Sequence, residues 1–311
     1  MTTYKNLDGT TPDKNIGALL KWQVLDRIAG RRHKDPGGFV TPRKENDGTA
    51  LAAISPHLTW IGHATYVQRL ENKLIATDPI WSTRIATVKR HTPPGVAFEK
   101  MPKLDIVTVS HSHYDHLDLP SLLRIGPEAL YVVPKDVGEV LRDAGLPRVI
   151  ELDWWETHKE GELEITLVPA QHWSMRFPWD RNKRLWGGFV YRTPTLTTYH
   201  AGDTAFNAPV FQAIHDRIGP IDYAMLPIGA YDPEWFMQEQ HMGPEDAARA
   251  WEILGARTLV AMHWGTFKLT DEPMGEPPQR LRAWWGEEKV DPSRLWILDI
   301  GETRALEPTS R

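Results

Sequence analysis

The chain contains no cysteine. It can form no disulfide and offers no thiolate to a metal or a substrate, so any metal site must use imidazole and carboxylate. The same absence accords with a reducing compartment, and a cytoplasmic location is expected. Long apolar runs are also missing. No stretch approaches the roughly twenty residues that span a bilayer, and the opening MTTYKNLDGTTPDKN lacks the apolar core of a signal peptide. Positive charge is not in excess either: 36 Lys and Arg stand against 41 Asp and Glu, for a net charge of -5. That balance argues against a nucleic-acid partner and leaves a small-molecule or lipid substrate open.

What is present is enough for one packed domain, with 41% hydrophobic residues in 311. Residues 1–50 read as an amino-terminal arm and helix resting on or near a domain that occupies 51–311. The first fifteen residues are polar and rich in turn formers, as in a loose arm. In 17–32, Leu19, Leu20, Val24, Leu25 and Ile28 recur at helical spacing among Lys21, Arg27, Arg31 and Arg32. Such a helix packs on its own domain or lies on an anionic membrane as a peripheral contact. The basic stretch 83–103, with Arg84, Lys89, Arg90, Lys100 and Lys103, reads as a solvated loop or an anion receiver.

The chemistry concentrates in residues 104–118, LDIVTVSHSHYDHLD. Ile106 to Val109 form an apolar, β-branched run that predicts a buried strand, and it leads into His111, His113, Asp115 and His116. Residues two apart on an extended segment share a face, so His111 and His113 can reach one ion together. A following turn directs Asp115 and His116 to a second ion. A histidine-rich surface loop is the alternative, but a hydrophobic strand rarely ends in four clustered ligands. Three further predicted strands, at 162–169, 195–199 and 258–262, end at His172, Asp203 and His263. Ligands are thus expected along one rim of a sheet. Imidazole with some carboxylate suits zinc first, with iron, manganese or nickel as alternatives.

HSHYDH resembles the HxHxDH signature of the metallo-β-lactamase superfamily. WIGHATYV at 60–67, AGDTAF at 201–206, PIGAYDPEWFMQEQHMGPEDA at 227–247 and HWGTFKL at 263–269 are similar, in order and spacing, to the N-acyl-phosphatidylethanolamine-hydrolysing phospholipase D branch. The likeness runs from about residue 58 to about residue 304. It implies an α/β fold, a four-layer αββα sandwich with two divalent metal ions at one edge. It assigns one metal to His111, His113 and His172, the other to Asp115, His116 and His263, and makes Asp203 the bridge. A hydroxide bridging the metals is then the nucleophile. The implied reaction is phosphodiester hydrolysis, on N-acyl-phosphatidylethanolamine or a related glycerophospholipid. A lactonase or sugar-phosphate lactonase on the same metals is the rival enzyme, and a non-catalytic metal- or lipid-binding module is the rival from another class.

Beyond the metals, the resemblance makes Asp115, Asp203 and His241 the expected catalytic residues, with His241 donating a proton to the leaving oxygen or binding a phosphate oxygen; taken by itself, His241 also reads as a helix-capping or surface histidine. Tyr231, Trp235 and Phe236, close to His241 in sequence, are either loop packing or the wall of a lipid-accommodating pocket, and Trp173, Trp235 and Trp264, beside candidate ligands, are either core or the wall of a pocket for an apolar or extended substrate. His63 and Asp78 are expected behind the ligands, His63 orienting a carboxylate such as Asp203 and Asp78 a ligand imidazole. His200 is expected to be structural. His33, His57, His91, His158 and His215 match no motif and are expected at the surface or at caps.

Overall fold

The computed structural model describes residues 3–12, 16–33, 35–53 and 55–309. Its first strands in chain order are β1 (His57–Gly62), β2 (Thr65–Leu70), β3 (Lys73–Thr77), a short ribbon of β4 (Arg84–Ile85) and β5 (Val88–Lys89), β6 (Ile106–Thr108), β7 (Leu130–Pro134) and β8 (Val149–Leu152). There follow β9 (Thr157–Glu160), β10 (Leu163–Val168), β11 (Gly188–Arg192), β12 (Thr197–His200), β13 (Tyr223–Pro227), β14 (Thr258–Met262), β15 (Leu295–Trp296) and β16 (Thr303–Ala305). Two seven-stranded sheets result, in the orders β16-β1-β2-β3-β6-β7-β8 and β15-β14-β13-β12-β11-β10-β9.

The strand sequences explain why four layers form. Side chains on a strand alternate faces. In the first sheet Trp60, Tyr66, Ile75, Ile106 and Val132 face a core shared with Leu163, Ile165 and Leu167 of the second sheet. Their neighbours Ile61, Val67, Ala76, Val107 and Val133 enter a separate cluster with Leu122 and Leu141. Those two leucines belong to α2 (Leu119–Ile125) and α3 (Gly138–Asp143). Both faces of the sheet are therefore buried, which is why β6 and β7 read as continuous apolar runs.

On the far side, α4 (Ala208–Ile218), α6 (Pro244–Leu254) and α7 (Glu276–Glu287) add Phe211, Ile214, Trp251, Leu281 and Trp285 to the core that holds β13 and β14. The caps are local sequence features. Asn207 accepts a hydrogen bond from the Val210 N–H at the start of α4, and Gly255 ends α6 in the left-handed region at φ 61°. The molecule is an αββα sandwich.

Strand direction places the site. β1 and β3 are both antiparallel to β2, and β6 is parallel to β3, so β1, β3 and β6 end at one rim. By the same reasoning β10, β12, β13 and β14 run together in the second sheet.

The amino-terminal segment departs from expectation. Residues 3–12 are not loose: Asn6 is buried, and the Tyr4 hydroxyl donates to Asp136 Oδ2 at 2.6 Å. The following helix is α1 (Ile16–Leu20), continued as a π-helix over Lys21–Asp26. Trp22 packs on Phe236 and Met237 of α5 (Glu234–Met237), while Leu19, Leu20, Val24, Leu25 and Ile28 stay exposed. The periodic stripe is thus not the face that docks on the domain. Of the carboxyl-terminal tail, residues 310–311 lie outside the described residues.

Candidate metal centre

Each candidate ligand follows the end of a strand. His63, Asp78 and His263 sit immediately after β1, β3 and β14, and all three have positive φ, at 55°, 43° and 62°. Left-handed backbone is disfavoured for residues with a Cβ and persists where the surroundings hold it, a pattern concentrated at functional sites. The kinks turn these side chains off the strand direction and into the space between the sheets' ends.

Two groups form there. His111, His113, His172 and Asp203 make one, and His63, Asp115, His116 and His263 the other; within each group the ligand atoms lie within 4.8 Å of one another. His113 Nδ1 is 2.9 Å from His111 Nε2 and 3.3 Å from His172 Nε2. Asp203 stands between the groups. Its Oδ2 is 3.1 Å from His116 Nε2 and 3.8 Å from both His111 Nε2 and His172 Nε2, while its Oδ1 is 3.2 Å from His263 Nε2. Asp115 Oδ2 lies 3.6 Å from both His116 Nε2 and His263 Nε2.

Outer partners set the tautomers. The Gln240 carbonyl, which can only accept, is 2.7 Å from His172 Nδ1, so that nitrogen carries the proton and Nε2 faces inward with its lone pair. His116 Nδ1 likewise donates to Asp78 Oδ2 at 2.7 Å. Ser110 Oγ gives its proton to Asp78 Oδ2 at 2.7 Å and so accepts from His111 Nδ1 at 2.9 Å. Arg176, on the His172 loop, donates to the carbonyls of Ser112 and Leu117, each at 2.9 Å, and ties that loop to the HSHYDH turn.

Inward-facing atoms fit a cation. Nε2 of His116 and of His263 and Oδ1 of Asp203 are buried and make no hydrogen bond, although each of the two nitrogens lies within 3.2 Å of an Asp203 oxygen. They are close but not aligned on each other. Buried polar atoms in native proteins find partners, and metal ions between these nitrogens and oxygens would supply them.

The proton affinities divide along the same line. Burial, the largest influence, holds His111 and His172 well below the ordinary imidazole range and His113 at about 4. Burial also opposes a charge on His116 and His263, but the carboxylates overcome it. Asp203, Asp115 and Asp78 hold His116 well above its usual value, and Asp203 and Asp115 lift His263 to about 9. Burial would raise Asp115 and Asp203, yet the neighbouring imidazoles hold both well below the usual carboxylate range.

The remaining expected residues fall into several places. His63 Nε2 pairs with Asp115 Oδ2 at 3.2 Å rather than with Asp203, because its turn after β1 points it at the second group. Asp78 lies behind His116. His241 stands over the gap, its Nδ1 3.9 Å from Asp203 Oδ2 and its ring 5.2 Å from that of His172. Burial, its largest influence, lowers it to about 4. Tyr231 and His241 line a cleft of about 380 Å³ with Arg249 and Arg280, and the Tyr231 hydroxyl donates to Glu276 at 2.7 Å. Trp235 is exposed, beneath the Lys21 ammonium.

Phe236 does not line that cleft; it is buried against Trp22, with ring centroids 5.0 Å apart. Trp264 is core, stacked on Trp60, whereas Trp173 meets the His113 ring edge-on. In the basic loop, Arg90 is buried and donates to the carbonyls of Ile80 and Ser82, which makes it structural. His57, expected at the surface or at a cap, is buried with its Nδ1 2.9 Å from the Ser55 carbonyl, and His200 Nε2–H donates to the Ala64 carbonyl at 2.8 Å in the core. Ser110, Arg176, Gln240 and Asn6 were not foreseen. Ser110 lies inside the ligand motif, Arg176 four residues after His172 and Gln240 directly before His241 in the block at 227–247, but nothing in the sequence marks Asn6.

The fold and site define a class, and the comparisons agree. The family described as the Beta-lactamase superfamily domain matches residues 73–264. The chain belongs to that superfamily and is a metal-dependent hydrolase of it. Among its relatives is N-acyl-phosphatidylethanolamine-hydrolyzing phospholipase D 1 of Caenorhabditis elegans, 36% identical over 263 residues, 78% of this chain and 74% of that protein. The mitochondrial N-acyl-phosphatidylethanolamine-hydrolyzing phospholipase D of Saccharomyces cerevisiae is 33% identical over 97% of this chain and 64% of its own length. Igni18, a metallo hydrolase of Ignicoccus hospitalis, matches with a TM-score of 0.61 and 25% identity over 81% of this chain and 99% of that one.

Proposed function

We propose that the protein hydrolyses the phosphodiester of a glycerophospholipid, with N-acyl-phosphatidylethanolamine favoured, at a centre of two divalent metals, zinc foremost. The observation that carries this reading is the position of Asp203, within reach of imidazoles from both ligand groups. Similarity to two phospholipases D that act on this lipid supports the substrate.

In this reading His111, His113 and His172 hold one metal, Asp115, His116 and His263 the other, and Asp203 is shared. When bound, such a pair activates water near neutral pH and neutralises charge on phosphate oxygens. The chain's own residues do the rest. Asp78, Ser110 and the Gln240 carbonyl keep three ligand rings oriented, and His63 orients Asp115. His241 projects from the cleft side, where its ring N–H hydrogen-bonds a phosphate oxygen or hands a proton to the departing alcohol. Water adds to phosphorus, the bond to the headgroup oxygen breaks, and the products are phosphatidic acid and an N-acylethanolamine.

We place the protein in the cytoplasm, in keeping with its lack of cysteine, and in peripheral contact with membrane. Among the described residues no helix is long and apolar enough to cross a membrane. The exposed stripe of Leu19, Leu20, Val24, Leu25 and Ile28, beside Lys21 and Arg31, supports a contact at the surface.

Elemental analysis of purified protein, coupled to turnover of bis(p-nitrophenyl) phosphate and of N-acyl-phosphatidylethanolamine, tests the reading. About two metals per chain with release of phosphatidic acid is the expected result. Two metals with neither substrate cleaved would transfer the proposal to a lactone or ester, and a chain that binds no metal would end it.

A further inference from the structure

We infer that residues 3–12 are a working part of the metal centre, with Asn6 the positioning residue for His172. This rests on the assignment of His172 as a ligand. Asn6 is only 3% exposed, in a segment whose following residues 7–10 lie open to solvent. Its Oδ1 accepts from the His172 backbone N–H and from Trp186 Nε1–H, each at 3.0 Å.

His172 is carried by the connection between β10 and β11, residues 169–187, which has no strand ladder to fix it. A ligand on such a connection needs outside support, because a metal site tolerates only about 0.5 Å of displacement. His172 is held at two points. The Gln240 carbonyl fixes its ring and Asn6 fixes its backbone, 166 residues away in the chain.

The arm is itself tied down around that point. Asn6 N–H donates to the Thr10 carbonyl at 2.8 Å, closing a turn. Gln171, the residue before the ligand, donates to Thr10 Oγ1 at 3.0 Å and lies 3.3 Å from Asp8. Tyr4 N–H donates to the Asn182 carbonyl at 2.8 Å, farther along the same connection. A turn docked on both sides of a ligand, with its one buried side chain on the ligand's own amide, sets where that imidazole stands.

Three variants test this: His172→Ala, Asn6→Ala and Asn6→Asp. Metal content is read by elemental analysis after dialysis against a graded chelator, together with the visible spectrum of the cobalt-substituted protein and the melting temperature of the metal-free protein. His172→Ala should fall from about two metals to about one. Asn6→Ala should weaken the same metal by about 10- to 100-fold and shift the cobalt spectrum, the range seen when an outer partner of a ligand is removed. Asn6→Asp keeps an oxygen acceptor for both N–H groups and should restore the metal and the spectrum.

If His172→Ala retains both metals, the ligand assignment has failed. If it loses one while Asn6→Ala keeps both with an unchanged cobalt spectrum, the positioning role is overturned and the ligand assignment stands. Equal metal loss in both Asn6 variants, in step with the fall in metal-free melting temperature, also overturns it, since packing alone would explain that. Should Asn6→Ala fail to fold, Asn6→Asp carries the decision: a folded Asp variant that binds one metal refutes the inference.

Discussion

The two ligand groups use the same residue types but differ in charge and in what holds them. The group of His111, His113 and His172 has one carboxylate nearby, Asp203, and its imidazoles are neutral at physiological pH because burial dominates. The group of Asp115, His116 and His263 has Asp115, Asp203 and Asp78 around it, and these keep His116 and His263 protonated. A metal ligand must be a bare imidazole. The first group therefore offers its lone pairs at once, and the second must release protons to do so. Their supports differ as well: the second group leans on the side chains of Asp78 and His63, and the first on Ser110 beside His111 and on Asn6 and the Gln240 carbonyl from distant segments.

The largest effect should come from the residue the groups share. Asp203→Asn should lower turnover by about 1,000-fold or more while the chain stays folded, since a two-metal centre loses its common anion. Circular dichroism with turnover checks it, and full activity would dissolve the pairing of the groups. His241→Ala should cost about 100-fold or more in kcat with metal content unchanged, because His241 stands over the gap and belongs to neither group. Loss of a metal in that variant would make it a ligand.

Acid separates the groups. The raised imidazoles of the second group hold protons below about 9 for His263, so its metal affinity falls as pH drops through the neutral range. In the first group protons compete only near about 4 for His113, so its metal should survive. Dialysis at pH 6 against a weak chelator should leave about one metal per chain, and simultaneous loss of both would erase the distinction. Metal binding to the second group should likewise release protons at pH 7.5, measurable by calorimetry in buffers of different ionisation enthalpy. The smallest effect is expected for Asp78→Asn, which keeps the shape but weakens the acceptor behind His116. It should reduce affinity for one metal by about 10-fold, near the low end for an outer partner.

Much of the fold and of the metal centre is legible in the sequence. The apolar run Ile106 to Val109 leading into His111, His113, Asp115 and His116 encodes both a buried strand and its ligands, because both signals are local: side-chain alternation and spacing along a few residues. His172, Asp203 and His263 were legible for the same reason, each closing a predicted strand. The even burial of β6 on both faces was visible as an unbroken apolar run. Local pattern misled where one residue outweighed a stripe: Trp22, aromatic and able to pack on Phe236, anchors its helix, while the periodic leucines face solvent. Tertiary structure alone decided how the ligands are oriented and which neighbours they answer to. His63 answers to Asp115 and not Asp203, His172 to a backbone carbonyl 68 residues away, and Asn6 to an amide 166 residues away. Hydrogen bonds of that kind depend on angles and distances between segments that meet only when the two sheets close on each other, and no spacing along the chain records them.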